Sequence, residues 1–175
     1  MSDPPARALR LPSAAAGRPR RGAPLIVSPH LDDAVLACGD LLAREPGATV
    51  VTVFAGRPCG GARLGPWDAD AGFRPGEDVI DARRREDRRA LAHLGARPVW
   101  MEFADAQYGE PCDLASVAST LREVLHREAP AAVVLPLGLF HSDHRLASDA
   151  CLALAAEGGR EWLVYADALY RAYEG

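Results

Sequence analysis

From Pro24 onward, short runs of β-branched and apolar residues alternate with longer stretches whose apolar positions recur at helical spacing. That alternation predicts βαβ units around a parallel sheet. The first strand is Leu25–Ser28, followed by a helix over 33–44 with Val35, Leu36, Leu41 and Leu42 along its apolar side. The second strand is expected over 48–54. Residues 55–76 contain six glycines and three prolines with no clear period, which reads as a long surface loop. A strongly charged helix over 77–94 stops at Gly95 and leads into a third strand over 98–103. A helix over 113–128, with Leu114, Val117, Leu121, Val124 and Leu125 on one face, precedes a fourth strand over 131–135. A last helix over 144–156 precedes a fifth strand over 162–166. The expected fold class is α/β: a Rossmann-like three-layer sandwich with a mostly parallel sheet of about five strands, in the common order 3-2-1-4-5.

A length of 175 residues fits one domain, and 49% hydrophobic with 25% charged residues suits a globular chain with a core. All 20 basic residues are arginine, a bias that points to a GC-rich bacterial genome and says nothing of function. The net charge of −4 is uneven. Residues 1–23 carry five arginines against the single acid Asp3, a net of +4, so the remainder carries −8. Residues 1–23 therefore read as a flexible basic arm and residues 24–175 as the domain. The acidic domain argues against a nucleic-acid groove. No apolar stretch is long enough for a membrane span, and the arm lacks the apolar segment of a secretory signal, so a cytoplasmic location is expected. Cys38, Cys59, Cys112 and Cys151 form no C-x-x-C pair, which supports neither a zinc finger nor a disulfide framework. His93 and His126 lie among arginines on expected helices and read as solvated.

Chemistry gathers where two strands end. The first strand runs into Ser28-Pro29-His30-Leu31-Asp32-Asp33, and the fourth into Phe140-His141-Ser142-Asp143-His144. In the order 3-2-1-4-5 these strands are neighbours where the order reverses, so two clusters more than a hundred residues apart face one crevice. Taken singly, each has a structural reading, Asp32 or Asp33 as a helix cap and the histidines as a solvated pair. Taken together, imidazoles and carboxylates without cysteine suit Zn²⁺ or another divalent transition metal, and imply a metal-dependent hydrolase. One of the adjacent Asp32 and Asp33 can bind metal while the other accepts a proton; the residues alone do not separate the two, nor His141 from His144.

Pro29-His30-Leu31-Asp32-Asp33-Ala34 together with His141-Ser142-Asp143-His144 resembles the LmbE/PIG-L family of zinc-dependent N-acetylglucosaminyl deacetylases. Arg83, Glu86, Ala90, Leu94 and Gly95 are similar to the family's spaced R-x-x-E-x-x-x-A-x-x-x-L-G helix, and Phe103-Ala104-Asp105 with Tyr108 resembles its segment after the third strand. Tyr165-Ala166-Asp167-Ala168-Leu169 is similar to a degenerate form of the family's E-D-L-P-Y. The resemblance implies His30, Asp33 and His144 as metal ligands, Asp32 as general base, His141 as donor to the developing oxyanion, and Asp143 orienting a histidine ring. It further implies Arg83 and Asp105 as sugar contacts. Trp67, in the long loop, is a candidate to stack on a sugar face. The implied reaction is metal-assisted hydrolysis of an acetamide on an amino-sugar conjugate, giving acetate and a free amine.

Family members extend several dozen residues beyond the E-D-L-P-Y region, whereas this chain ends at Gly175. Two expectations follow: a domain lacking the family's C-terminal segment, or a compact member whose pocket a second copy completes as a homo-oligomer. The alternatives in function are another amide hydrolase of the same mechanism and a metal-binding but inactive module. A nucleotide-binding Rossmann protein and a serine hydrolase are disfavoured, since G-x-G-x-x-G, the P-loop pattern and G-x-S-x-G are all missing.

Overall fold

The computed structural model describes residues 22–168 except Ala62. The expected basic arm therefore lies almost wholly outside the described residues. Five parallel strands, β1 (Leu25–Ser28), β2 (Thr49–Thr52), β3 (Arg97–Trp100), β4 (Ala132–Pro136) and β5 (Glu161–Tyr165), form one sheet in the order β3-β2-β1-β4-β5. Leu25 pairs with Thr49 on one side and with Val133 on the other, which centres β1 in the sheet. The expected topology is the one observed.

Successive strand residues face opposite ways and bury two cores. Leu25, Val27, Val51, Val133 and Leu135 pack against α4 (Leu114–Glu128) and α5 (Ser142–Ala155), through Val117, Leu121, Ala147 and Cys151 among others. Ile26, Val50 and Val134 pack on the opposite face against Ala34, Cys38 and Leu42 of α1 (Asp33–Arg44) and Leu91 of α3 (Val79–His93). The result is three layers around a sheet whose central strands β1, β2 and β4 are wholly buried and whose edge strands are partly exposed.

Five expectations are corrected. β3 ends at Trp100 instead of 103, and beyond it Glu102 makes only an isolated antiparallel bridge to Phe54. The segment 55–76 is not structureless: it holds the short helix α2 (Pro66–Asp70), tied down by buried Asp68, which accepts bonds from the Gly65 N–H and the Tyr108 hydroxyl at 2.9 and 2.8 Å. β2 ends at Thr52 instead of 54, because its partner β1 stops at Ser28 and Phe54 makes only that isolated bridge to Glu102. α5 starts at Ser142 instead of 144, with His141 as its cap. Leu36 and Leu114, expected on buried faces, are exposed. None of the four cysteines forms a disulfide, Cys38 and Cys151 are buried, and His93 and His126 are exposed. Among the described residues no helix is long and apolar enough to cross a membrane.

Candidate active site

The β1–α1 turn is held by Ser28, whose hydroxyl donates to the His30 carbonyl at 2.6 Å and accepts the Ala34 N–H at 3.0 Å. Ser28 thus does the backbone work at the start of α1. Asp32 occupies the cap position without making a side-chain cap bond, and Asp33 turns inward to accept the His30 N–H at 2.9 Å. The reading of Asp32 as a helix cap is thereby set aside.

Across the crevice, His141 caps α5 through its ring: Nδ1 accepts the Asp143 N–H at 3.2 Å. Burial and the nearby His30 lower its pKa, so the ring is neutral and its proton must sit on Nε2. His144, one helical turn further in, is buried. The rings of His30, His141 and His144 lie 5.2–5.7 Å apart, so the two distant clusters form one site.

Donor atoms of His30, Asp33 and His144 lie within 4.8 Å of one another, a set that could hold a metal ion. Asp33 Oδ2 sits 3.3 Å from His30 Nδ1 and 3.2 Å from His144 Nε2. Behind each imidazole stands a second, buried carboxylate. His30 Nε2 lies 3.1 Å from Asp143 Oδ2, and His144 Nδ1 lies 2.7 Å from Asp167 Oδ1. Carboxylates only accept, so each draws a proton to the nitrogen it faces and leaves the opposite nitrogen toward Asp33 as the ligating atom. Two nitrogens and an oxygen so oriented fit Zn²⁺ or a similar divalent transition metal.

The electrostatics point the same way. Burial pulls the His30 pKa down, but Asp143, Asp33 and Asp105 outweigh it and push it up to about 10. His144 is likewise buried, and Asp167 and Asp33 push it up to about 9. Burial opposes ionisation of Asp33, yet the two imidazoles hold its carboxyl well below the usual range. The site demands positive charge.

These groups open onto a cleft of about 530 Å³ lined by His30, Asp32, Asp33, His141 and His144 together with Trp67, Arg83 and Asp105. Asp32 is crowded by the cleft walls and by Asp33, which raises its pKa against the opposing pull of His30 and Arg83. Arg83 stands 5.6 Å over the Phe73 ring, Trp67 is 66% exposed, and Asp105 caps a 3₁₀ turn (Ala106–Tyr108) by accepting the Gln107 N–H. Asp143 does not face the cleft but sits behind His30, where its Oδ2 also accepts the Ala106 N–H at 3.0 Å. Exposed Leu36 lines the cleft with Leu31 and Val35, which accounts for an apolar residue left outside the core.

Two site residues escaped the sequence reading. Asp87, one helical turn beyond Arg83, is buried against the Trp100 indole N–H at 2.8 Å, and burial together with Asp32 pushes it up to about 6. Its place inside a run of charged residues hid it. Asp167 carried a faint signal, as one residue of the degenerate motif after the fifth strand.

Residues 25–155 match the family described as PIG-L: GlcNAc-PI de-N-acetylase. The chain belongs to the PIG-L family. A curated relative, 2'-N-acetylparomamine deacetylase of Streptomyces fradiae, is 32% identical across 87% of this chain. The chain spans only 59% of that relative's length. The solved structure of the A40926 pseudoaglycone deacetylase superposes with a TM-score of 0.79 at 35% identity, covering 89% of this chain and 67% of that one. The zinc-inhibited form of teicoplanin deacetylase superposes with a TM-score of 0.76 at 28% identity, covering 87% and 70%. The two solved structures share the fold described above.

Proposed function

We propose that this PIG-L domain is a metal-dependent N-deacetylase of an amino-sugar conjugate. The observation that carries the reading is the triad His30, Asp33 and His144, each imidazole backed by a buried carboxylate, at the floor of a cleft that also holds Asp32 and His141. His30, Asp33 and His144 would hold a Zn²⁺ ion. The ion supplies Lewis acidity and brings water toward ionisation at neutral pH.

The chain's own residues do the rest. Asp32, facing the cleft with its proton affinity raised by burial and by Asp33, accepts a proton from the attacking water and returns it to the departing amine. His141, fixed as the neutral Nε2–H tautomer by its role as helix cap, donates to the oxygen of the acetamide as charge develops there. Asp143 orients His30. Arg83 and Asp105 provide charged contacts for sugar hydroxyls, and exposed Trp67 offers an aromatic face to the ring. A sugar-bearing small molecule is the substrate class, supported by relatives named for acetylated paromamine and a pseudoaglycone. N-acetylglucosamine is the sugar we favour.

Asp32→Ala tests the reading. Acetate release from N-acetylglucosaminyl compounds should fall at least about 100-fold with zinc affinity unchanged. Turnover that survives the substitution overturns Asp32 as the base. Zinc binding by the unmodified chain without turnover on any N-acylated sugar would favour the inactive metal-binding module.

A further inference from the structure

Asp167 lies beyond the residues matched to the PIG-L family and has no part in the proton transfers above. It is 1% exposed, two residues past the end of β5. Burying a carboxylate is costly unless its oxygens are satisfied. Here three donors satisfy it, all from the β4–α5 segment: His144 Nδ1 to Oδ1 at 2.7 Å, and the Gly138 and Leu139 N–H groups to Oδ2, both at 3.1 Å.

We infer that Asp167 is the positioning residue of the metal centre, fixing the tautomer of His144 and clamping the loop that presents His141. This rests on His144 being a metal ligand, as proposed above. The first half follows from donor chemistry. With the Nδ1 proton held by Asp167, the His144 lone pair is on Nε2, 3.2 Å from Asp33, where it completes the triad. The second half follows from the backbone. The loop is strained at Phe140, a bulky residue at φ +60°, and leaves no freedom at Gly138, whose φ is +80° and where a Cβ would lie 2.6 Å from that of Ser148. A strained loop persists only where its surroundings over-determine it. β5 pairs with β4 through Pro136 and Tyr165, and the Leu137 N–H continues the ladder to the Tyr165 carbonyl, so Asp167 arrives in register with the loop amides. One side chain therefore sets a metal ligand and, through the loop, the oxyanion donor next to it in sequence.

The test uses Asp167→Asn and Asp167→Ala in the full chain, with zinc affinity measured by competition against a chromogenic chelator. Asn can accept the His144 proton but cannot also accept two backbone amides on its NH₂ group. We expect affinity to fall about 10-fold in Asn and up to about 100-fold in Ala. At saturating zinc, kcat should fall in Ala with KM little changed, since His141 and not the sugar contacts is displaced. Folded variants that both bind zinc within twofold of the unmodified chain would overturn the inference. Should neither variant fold, the long-range ¹H–¹⁵N spectrum of His144 in the unmodified zinc-loaded protein decides: a proton on Nδ1 supports it and a proton on Nε2 overturns it. His144→Ala keeps the two readings apart. Undiminished zinc affinity there removes His144 as a ligand and the Asp167 assignment with it, whereas zinc binding without acetate release refutes only the deacetylase reading.

Discussion

Loading the site with Zn²⁺ at pH 6 should release about two protons per ion. In the metal-free protein the carboxylates around His30 push its pKa to about 10, and those around His144 push it to about 9, so both rings are charged. A metal needs a lone pair on each ring, so each must give up the proton on its Asp33-facing nitrogen while keeping the one held by Asp143 or Asp167. Asp33, held ionised well below the usual range, contributes none. At pH 6 water on a zinc ion also keeps its protons, since its pKa is about 7. Two protons per ion mean that affinity rises about 100-fold per pH unit, roughly 2.7 kcal/mol. Calorimetric titration in buffers of different ionisation enthalpy reads the proton count directly. A count below about one, or affinity rising less than about 10-fold per unit, would refute the claim that the carboxylates hold both imidazoles charged. The same shifts fix the pH dependence of folding without metal. Both pKa values are raised above an unfolded value of about 6.5, so their stabilisation is complete below that pH and is lost as pH rises through about 9 for His144 and about 10 for His30. The melting temperature of the chelated protein should therefore decline above about pH 6.5.

Gly138→Ala should cost about 2–3 kcal/mol, because φ +80° disfavours any Cβ and this one meets Ser148; thermal unfolding measures it, and an unchanged Tm would deny the strain. Trp67→Ala should leave stability within about 0.5 kcal/mol, since the side chain is 66% exposed, while raising KM for a sugar substrate; an unchanged KM removes Trp67 from the binding face. Leu121→Ala, at a fully buried position in the α4 core far from the cleft, should cost about 2–5 kcal/mol with zinc affinity unchanged, as read by denaturant unfolding beside chelator competition.

Much of the fold is legible because strand and helix periods leave distinct marks. Leu25–Val27 is an apolar run closed by Ser28 before a turn, and 33–44 ends where a Pro-Gly pair breaks the period, so both boundaries coincide with those of β1 and α1. What stayed hidden depends on contacts between distant segments. α2 has too few turns to show a period, and its anchor, Asp68, matters only because Tyr108 reaches it from beyond β3. The start of α5 was misplaced by two residues because histidine is not among the usual capping residues, and only the structure shows its ring accepting the Asp143 N–H. Leu36 follows the apolar period of α1 but faces the cleft, where an apolar wall substitutes for core. The pairing of the two histidine clusters was legible because strand order alone dictates it. The roles of Asp143 and Asp167 behind the rings were less so, since a carboxylate reads alike whether solvated, capping or aimed at an imidazole.

The distribution of carboxylates explains why one arrangement can exist with or without an ion. Asp33, Asp105, Asp143 and Asp167 surround two imidazoles. Without metal, two imidazolium charges face four carboxylates; with Zn²⁺ and neutral rings, two charges on the ion face the same four. The exchange of two protons for one divalent ion leaves the net charge of the site unchanged, so carboxylates placed to raise the imidazole pKa values are also placed to attract a divalent cation. A monovalent ion would leave the buried acids under-compensated at the same geometry, at the cost that burial imposes on unpaired charge. The acidity needed for this is protected from local competition, because Ser28 secures the start of α1 and the His141 ring secures that of α5. Asp32 and Asp33 are thereby released from helix capping, and the two adjacent carboxylates can face different ways, Asp33 into the triad and Asp32 onto the cleft.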